Sequence, residues 1–177
     1  MVIWVTGISG SGKTALCAAI WDGLKPILPE LVRLDGDAVR AAIGDGLGYR
    51  EEDRRVQIQR LQRLAKILSD QGLVVLVAAL YSHPDLLEWN RLHMKEYFEI
   101  YLEASLELVR RRDPKGIYAS AAVTGARNVV GLDIPWHAPA RPDLVIQADS
   151  APSPADLVRC VVDAVPRLRA AAAGSRR

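Results

Sequence analysis

Short apolar runs alternate along the chain with longer segments in which apolar residues recur every three or four positions. The runs predict β-strands, and the longer segments predict amphipathic helices. The run at 73–80 contains no polar residue, as expected of a central parallel strand that is buried on both faces. The predicted strands are Val2–Thr6, Leu31–Asp35, 73–80, 96–102 and Leu144–Gln147. Because helical segments separate these strands, the pattern predicts an α/β fold with a five-stranded parallel sheet flanked by helices.

The predicted helices lie at 15–24, 51–71, 84–95, 105–112 and from Ser153 to about Pro166. Residues 113–142 show no clear periodicity, and such long irregular loops in compact domains are commonly lids or binding loops. No linker or repeat divides the chain. We therefore expect residues 1–170 to form one domain, followed by a frayed tail at 171–177.

Composition narrows the class of protein. The chain has 177 residues, of which 50% are hydrophobic, and a net charge of +2, which argues against nucleic acid as a partner. No apolar run approaches membrane-spanning length, and the first strand leaves no room for a signal peptide, so we expect no membrane partner and a cytoplasmic location. Cys17 and Cys160 lie among apolar neighbours on predicted helices, and we predict that both are buried free thiols.

Residues 7–14 connect the first predicted strand to the first predicted helix. Their sequence matches the phosphate-binding template G-x-x-x-x-G-K-[ST] at every fixed position. In such a loop, backbone N–H groups converge on phosphate oxygens, the lysine reaches the β- and γ-phosphates, and the hydroxyl residue binds Mg²⁺. The predicted nucleotide-binding residues are Gly7, Ser9, Gly10, Ser11, Gly12, Lys13 and Thr14. The motif therefore predicts a P-loop NTPase fold that uses ATP and Mg²⁺.

A second group of candidate residues ends the second predicted strand, where the chain reads Leu34-Asp35-Gly36-Asp37. Ligands of open α/β sheets bind beyond the carboxyl ends of the strands. One carboxylate here could hold Mg²⁺ through water, and the other could accept the proton of an attacking hydroxyl. Arg40 could bind an anionic substrate through a bidentate contact. The alternative is a helix N-cap with a neighbouring acidic residue.

These motifs and several shorter segments resemble the adenylylsulfate (APS) kinases. The resemblance runs from the first strand to about Ile146. The matching segments are 7–14, 34–37 with Arg40, 46–49, 53–54, 111–118, 127–128 with Gly131, and 138–139. The resemblance implies a kinase that transfers the γ-phosphoryl group of ATP to the 3′-hydroxyl of adenylylsulfate, in sulfate assimilation, or to a related nucleotide conjugate. It also implies a lid at about 113–133 and a homodimer.

The resemblance implies roles for individual residues as well. Asp37 matches the base near the acceptor hydroxyl, and Lys115 matches a lid lysine that approaches the transferred phosphate. Thr14 and Asp35 would hold Mg²⁺. One arginine among 110–112 could contact ATP, and Arg112 is the candidate. The implied catalytic residues are Asp37, Lys13 and Lys115.

Departures from the family concentrate where the acceptor would bind. Arg40 and Arg54 match arginines that hold the anionic part of APS, but Tyr49 and Val129 stand where two phenylalanines sandwich its adenine. Stacking on an aromatic ring contributes about 1–3 kcal/mol per base, so loss of half the clamp could weaken APS binding about tenfold. The implied acceptor-binding residues are Asp35, Arg40, Tyr49, Arg54, Gln57, Tyr81, Lys115, Asn128 and Val129.

Gln57 replaces an asparagine of the family, and Tyr81 replaces a serine that some members phosphorylate. The acceptor could therefore be APS, a related nucleotide conjugate, or a different small molecule of a specialised pathway. A GTPase is disfavoured because the chain has no Asn-Lys-x-Asp motif. The non-enzyme alternative is a nucleotide-binding regulatory protein, against which the retained Asp37, Arg40 and Lys115 argue.

Overall fold

The computed structural model describes residues 1–44, 46–113, 116, 118–119, 128–150 and 153–174. Within these residues, five parallel strands form one sheet in the order β2-β3-β1-β4-β5. The strands are β1 Val2–Thr6, β2 Leu31–Asp35, β3 Val74–Ala79, β4 Tyr97–Glu103 and β5 Leu144–Gln147. The predicted α/β fold is confirmed. The third strand is one residue shorter at each end than predicted, and the fourth begins and ends one residue later.

Helices cover both faces of the sheet. They are α1 Lys13–Leu24, α2 Gly36–Ile43, α3 Glu51–Asp70, α4 Pro84–His93, α5 Leu106–Arg112, α6 Pro154–Ala164 and α7 Pro166–Gly174. One core cluster joins α1, α6 and α7 to the sheet, and a second joins α3 and α4 to the opposite face. Because both faces are covered, every residue of β1 and β3 is buried, which explains the uninterrupted apolar runs of these strands.

The register of the sheet brings the carboxyl ends of the strands together. Thr6, the last residue of β1, pairs with Ala79 of β3 and with Tyr101 of β4. Asp35, the last residue of β2, pairs with Ala78. The phosphate-binding loop and the Asp35–Asp37 segment therefore leave the sheet at one edge, where a doubly covered parallel sheet binds its ligands.

Two predictions about the C-terminal part are wrong. The chain does not become irregular at residue 171, because α7 continues to Gly174 and buries Leu168 completely in the core. Residues 175–177 lie outside the described residues. Cys17 is buried as predicted, but Cys160 is exposed because it lies on the solvent side of α6. No described helix is long and apolar enough to cross a membrane.

Candidate active site

The phosphate-binding loop turns sharply between β1 and α1. Gly10 and Gly12 adopt positive φ angles of 79° and 107°, a region that disfavours residues with a side chain. At Gly10 an added Cβ would also lie only 3.2 Å from Cβ of Val109. Helix α1 starts directly at Lys13, so its unsatisfied N–H groups and partial positive charge point into the loop, where they favour an anion.

Two side chains of the loop already have partners. The Lys13 ammonium donates a hydrogen bond of 2.8 Å to the Ile8 carbonyl, which holds the lysine across the loop. The Thr14 hydroxyl donates to Oδ2 of Asp35 over 3.0 Å. A hydroxyl and a carboxylate oxygen are hard ligands that suit Mg²⁺, which fills its other positions with water and phosphate oxygens. No cluster of three or more His, Cys, Asp or Glu ligands occurs among the described residues.

Asp35 is a helix N-cap and also contacts the phosphate-binding loop. Its Oδ1 accepts hydrogen bonds from the backbone N–H groups of Asp37 and Ala38, so it is the N-cap of α2. Its Oδ2 meanwhile accepts from Thr14. This arrangement fixes Asp35 against the phosphate-binding loop and places Asp37 in the first turn of α2, at the same edge of the sheet.

Arg112, directly before the predicted lid, and Tyr118 within it contact the phosphate-binding loop. Arg112, the last residue of α5, places Nη1 3.4 Å from the Ser11 carbonyl, so this member of the arginine run reaches the nucleotide side. The Tyr118 hydroxyl donates to the Ser9 carbonyl over 3.1 Å. Lys115, the predicted lid lysine, lies outside the described residues.

Two cations and one aromatic ring, Arg40, Arg54 and Tyr49, lie close together, and we call this group the acceptor pocket after its predicted role. Arg40 donates from Nη1 to the carbonyls of Leu47 (3.1 Å) and Gly48 (2.7 Å). Arg54 donates from Nε to the Tyr49 carbonyl (3.0 Å). The guanidinium carbons of Arg40 and Arg54 lie 5.0 and 5.7 Å from the centre of the Tyr49 ring. Burial, and then the charge of Arg40, lower the pKa of Arg54, and an anion bound between the two cations would relieve this repulsion.

Arg54 and Gln57 connect this pocket to the rest of the site. Arg54 Nη2 donates to the Asn128 carbonyl over 2.7 Å, so the predicted Asn128 contacts the pocket through its backbone. Gln57 is only 5% exposed, and its Nε2 donates to the Gly36 carbonyl over 2.9 Å. Its Oε1 is buried with no partner among the described residues, so it offers a hydrogen-bond acceptor beside the Asp35–Asp37 segment.

Two of the predicted acceptor-binding residues point into the protein. Tyr81 is 2% exposed, and its hydroxyl donates to Oε1 of Glu51 over 2.6 Å. Burial, together with the bond to Glu51, raises the pKa of Tyr81 to about 12. Val129 is 7% exposed and packs in a cluster with Ile8 and Tyr118, so it does not present the open surface that a stacking base needs.

Sequence reasoning missed several residues that shape the site. Asp133 accepts hydrogen bonds from the backbone N–H groups of Asn128 and Val129, and these bonds lower its pKa. They hold Asn128 at an unusual φ of 70°. Glu51 was missed as well, because its partner Tyr81 lies 30 residues away and no local sequence pattern indicates the contact.

Fold and loop together define a P-loop phosphotransferase. The chain belongs to the adenylylsulphate kinase family, whose pattern matches residues 1–147. It is 36% identical over 151 residues to an adenylyl-sulfate kinase of Oceanobacillus iheyensis. This alignment covers 84% of this chain and 76% of that protein. It is 37% identical over 145 residues to a cytidine diphosphoramidate kinase of Campylobacter jejuni, with 82% and 84% covered.

The same relationship is seen in three dimensions. The structure of the Mycobacterium tuberculosis APS kinase CysC in complex with AMPPNP and APS aligns with a TM-score of 0.83 at 30% identity. The alignment covers 92% of this chain and 95% of that one. A shikimate kinase of Aquifex aeolicus shares the fold alone, at 14% identity and a TM-score of 0.57.

Proposed function

We propose that this kinase transfers the γ-phosphoryl group of ATP to a hydroxyl of an anionic nucleotide conjugate, either adenylylsulfate at its 3′-hydroxyl or a related compound. The observation that carries the proposal is the pocket of Arg40, Arg54 and Tyr49. It combines two cations for an acidic group with one exposed aromatic ring for a base. Arg40 of this pocket lies on α2, and the first turn of the same helix holds the candidate base Asp37.

The arrangement supports direct transfer between two ligands at one edge of the sheet. The backbone of the phosphate-binding loop, together with Lys13, would hold the β- and γ-phosphates. Thr14 and Asp35 would hold Mg²⁺, which supplies positive charge to the phosphates. The acceptor oxygen attacks the γ-phosphorus, the bond to the β,γ-bridging oxygen breaks, ADP leaves, and Asp37 takes the proton of the hydroxyl. Lys115 and Arg112 would neutralise charge on the transferred group and on the nucleotide.

Two acceptors that differ in their base are compatible with the proposed function. The similarity to adenylyl-sulfate kinases favours APS, and the similarity to a cytidine diphosphoramidate kinase favours a conjugate with another base. The burial of Val129 favours the second candidate, because only Tyr49 then offers a ring for stacking. Tyr49 is 59% exposed and could stack on either a purine or a pyrimidine.

An acceptor panel tests the function. The protein is incubated with Mg-ATP and APS, cytidine diphosphoramidate or amino sugars, and ADP release and phosphorylated product are measured. We expect transfer to at least one nucleotide conjugate at about 1–100 s⁻¹. Transfer to sugars alone would identify a kinase of another pathway. Tight ATP binding without transfer to any acceptor would identify a regulatory protein and contradict the proposal.

The variant Val129→Phe separates the two acceptors. If the missing aromatic ring limits APS binding, this variant should lower the KM for APS about tenfold and leave the KM for ATP unchanged. Val129→Leu is the matched control, because it enlarges the side chain without adding a ring. An unchanged KM for APS, in a variant whose melting temperature matches that of the wild type, would show that a ring at this buried position does not restore the clamp.

We further propose, on the resemblance to the family alone, that the protein acts in the cytoplasm as a homodimer. Size-exclusion chromatography with light scattering at two concentrations tests the assembly. A mass of one chain at both concentrations would contradict it.

A further inference from the structure

The first turn of α3 makes contacts in two directions. Arg54 is part of the acceptor pocket and donates hydrogen bonds to the carbonyls of Tyr49 and Asn128. Glu51 and Arg55, which are four residues apart and so share one face of the helix, bond instead to the segment that follows β3. The start of α3 therefore joins the acceptor pocket to the edge of the central sheet.

The contacts of Glu51 and Arg55 are short, and the one between Glu51 and Tyr81 is partly buried. Tyr81 is almost fully buried two residues after β3, and its hydroxyl donates to Glu51 over 2.6 Å. Arg55 pairs with Asp85 in the first turn of α4 over 2.5 Å. The ring of His83, the N-cap of α4, bonds the second oxygen of Asp85. We call the group Glu51, Tyr81, Arg55 and Asp85 the α3 link.

The start of α3 carries part of the acceptor pocket. Tyr49 is exposed and lies outside regular structure, and its ring lies near the guanidinium groups of Arg40 and Arg54. Arg54 is itself carried by the first turn of α3. A shift of this turn would therefore move the aromatic ring and one of the two cations together, while the phosphate-binding loop, which belongs to β1 and α1, would stay in place.

We propose that the α3 link positions Tyr49 and Arg54 for the acceptor, and that Tyr81 acts through Glu51 as a positioning residue without touching the acceptor. The burial of Tyr81 and the commitment of its hydroxyl proton to Glu51 support this role over the direct contact predicted from the sequence. The inference rests on the proposed function only in assuming that the acceptor binds at Arg40 and Arg54.

Hydrogen exchange of the free protein tests the link without any substrate. Tyr81→Phe removes only the hydroxyl, and we expect amides in peptides covering 46–55 to exchange at least about fivefold faster, with those of β1 and β3 unchanged. Lys66→Met is the matched control, because it breaks the ion pair with Asp70 further along the same helix. Unchanged exchange at 46–55 in Tyr81→Phe would overturn the proposal.

Kinetics distinguish a positioning role from general stabilisation. We expect Tyr81→Phe and Glu51→Ala each to raise the KM for the acceptor about tenfold, with kcat and the KM for ATP within about twofold of the wild type. Glu51→Gln keeps an accepting oxygen and should stay close to the wild type. The double variant Tyr81→Phe/Glu51→Ala should be no worse than either single one.

Different results would contradict the role of the α3 link and the proposed function. A lower melting temperature with an unchanged acceptor KM in Tyr81→Phe would reduce the link to a structural contact and overturn the inference. If the wild type transfers phosphate to no nucleotide conjugate, the proposed function fails, and the exchange measurement still decides whether the link holds the segment.

Discussion

At the scale of single residues, existing hydrogen bonds decide between the two carboxylates of the Asp-Gly-Asp motif. Asp35 uses one oxygen to cap α2 and the other to accept from Thr14. A carboxylate fixed in this way suits a metal ligand or an anchor better than a group that must collect a proton from a substrate. The proposed role of general base is therefore assigned to Asp37, in the first turn of the same helix.

Replacing Asp37 by asparagine tests this assignment. Asp37→Asn preserves the shape of the side chain and removes the ability to take the proton, so kcat should fall about 10²- to 10⁴-fold. The Kd for ATP, measured by calorimetry, should remain within about twofold of the wild type because Asp37 has no proposed role in binding the nucleotide. Asp22→Asn on the exposed side of α1 is the control. A kcat within about threefold of the wild type would assign the base elsewhere.

The two cysteines should differ sharply in reactivity. Burial raises the pKa of the Cys17 thiol to about 12, whereas Cys160 is exposed. Since the thiolate is the reactive form, we expect Cys17 to stay protonated and unreactive while the protein is folded. We expect iodoacetamide at pH 8 to label the native protein once, and Cys160→Ser not at all, as read by mass spectrometry. Unfolding in urea should expose both thiols. Labelling of native Cys160→Ser would contradict the burial of Cys17.

At the scale of elements, the strands are predictable as short apolar runs, and most helices are predictable because each buries one face and so leaves a periodic pattern. Helix α7 is not, since its alanines at 170–173 show no alternation of polar and apolar positions. It forms because alanine favours the helix and because Leu168 anchors it to the core. The candidate site, like the fold, has a part that local sequence patterns predict and a part that they do not. The edge of the sheet was predictable, but the bond from Arg54 to Asn128, 74 residues apart, depends on the path of the intervening chain.

The contribution of α7 can be measured. Leu168 is completely buried in the cluster that joins α1, α6 and α7, so Leu168→Ala should lower the free energy of unfolding by about 2–5 kcal/mol. Arg169→Ala, the exposed neighbour, should change it by less than about 0.5 kcal/mol. Urea unfolding followed by circular dichroism gives both values. A loss below about 1 kcal/mol in Leu168→Ala would mean that α7 adds little to the core.

At the scale of the whole molecule, the site draws on several strands of one sheet. The phosphate-binding loop follows β1, the Asp-Gly-Asp motif ends β2, and Tyr81 follows β3. Because β1 pairs with both β3 and β4, the loop cannot lose its place without disturbing the centre of the fold. Nucleotide binding should therefore stabilise the entire domain and not only the segment that touches the ligand.

This coupling gives a prediction about cooperativity. Unfolding followed by circular dichroism and by tryptophan fluorescence should show one coincident transition, as expected of a single domain. Mg-ATP at about 100 times its Kd should add about 2.7 kcal/mol, which raises the Tm by about 5–10 °C for a chain of this length. Lys13→Met should lose most of this shift, because it removes the cation that the loop holds against the phosphates. Two separate transitions, or a shift in only one probe, would show that the nucleotide site and the rest of the sheet unfold independently.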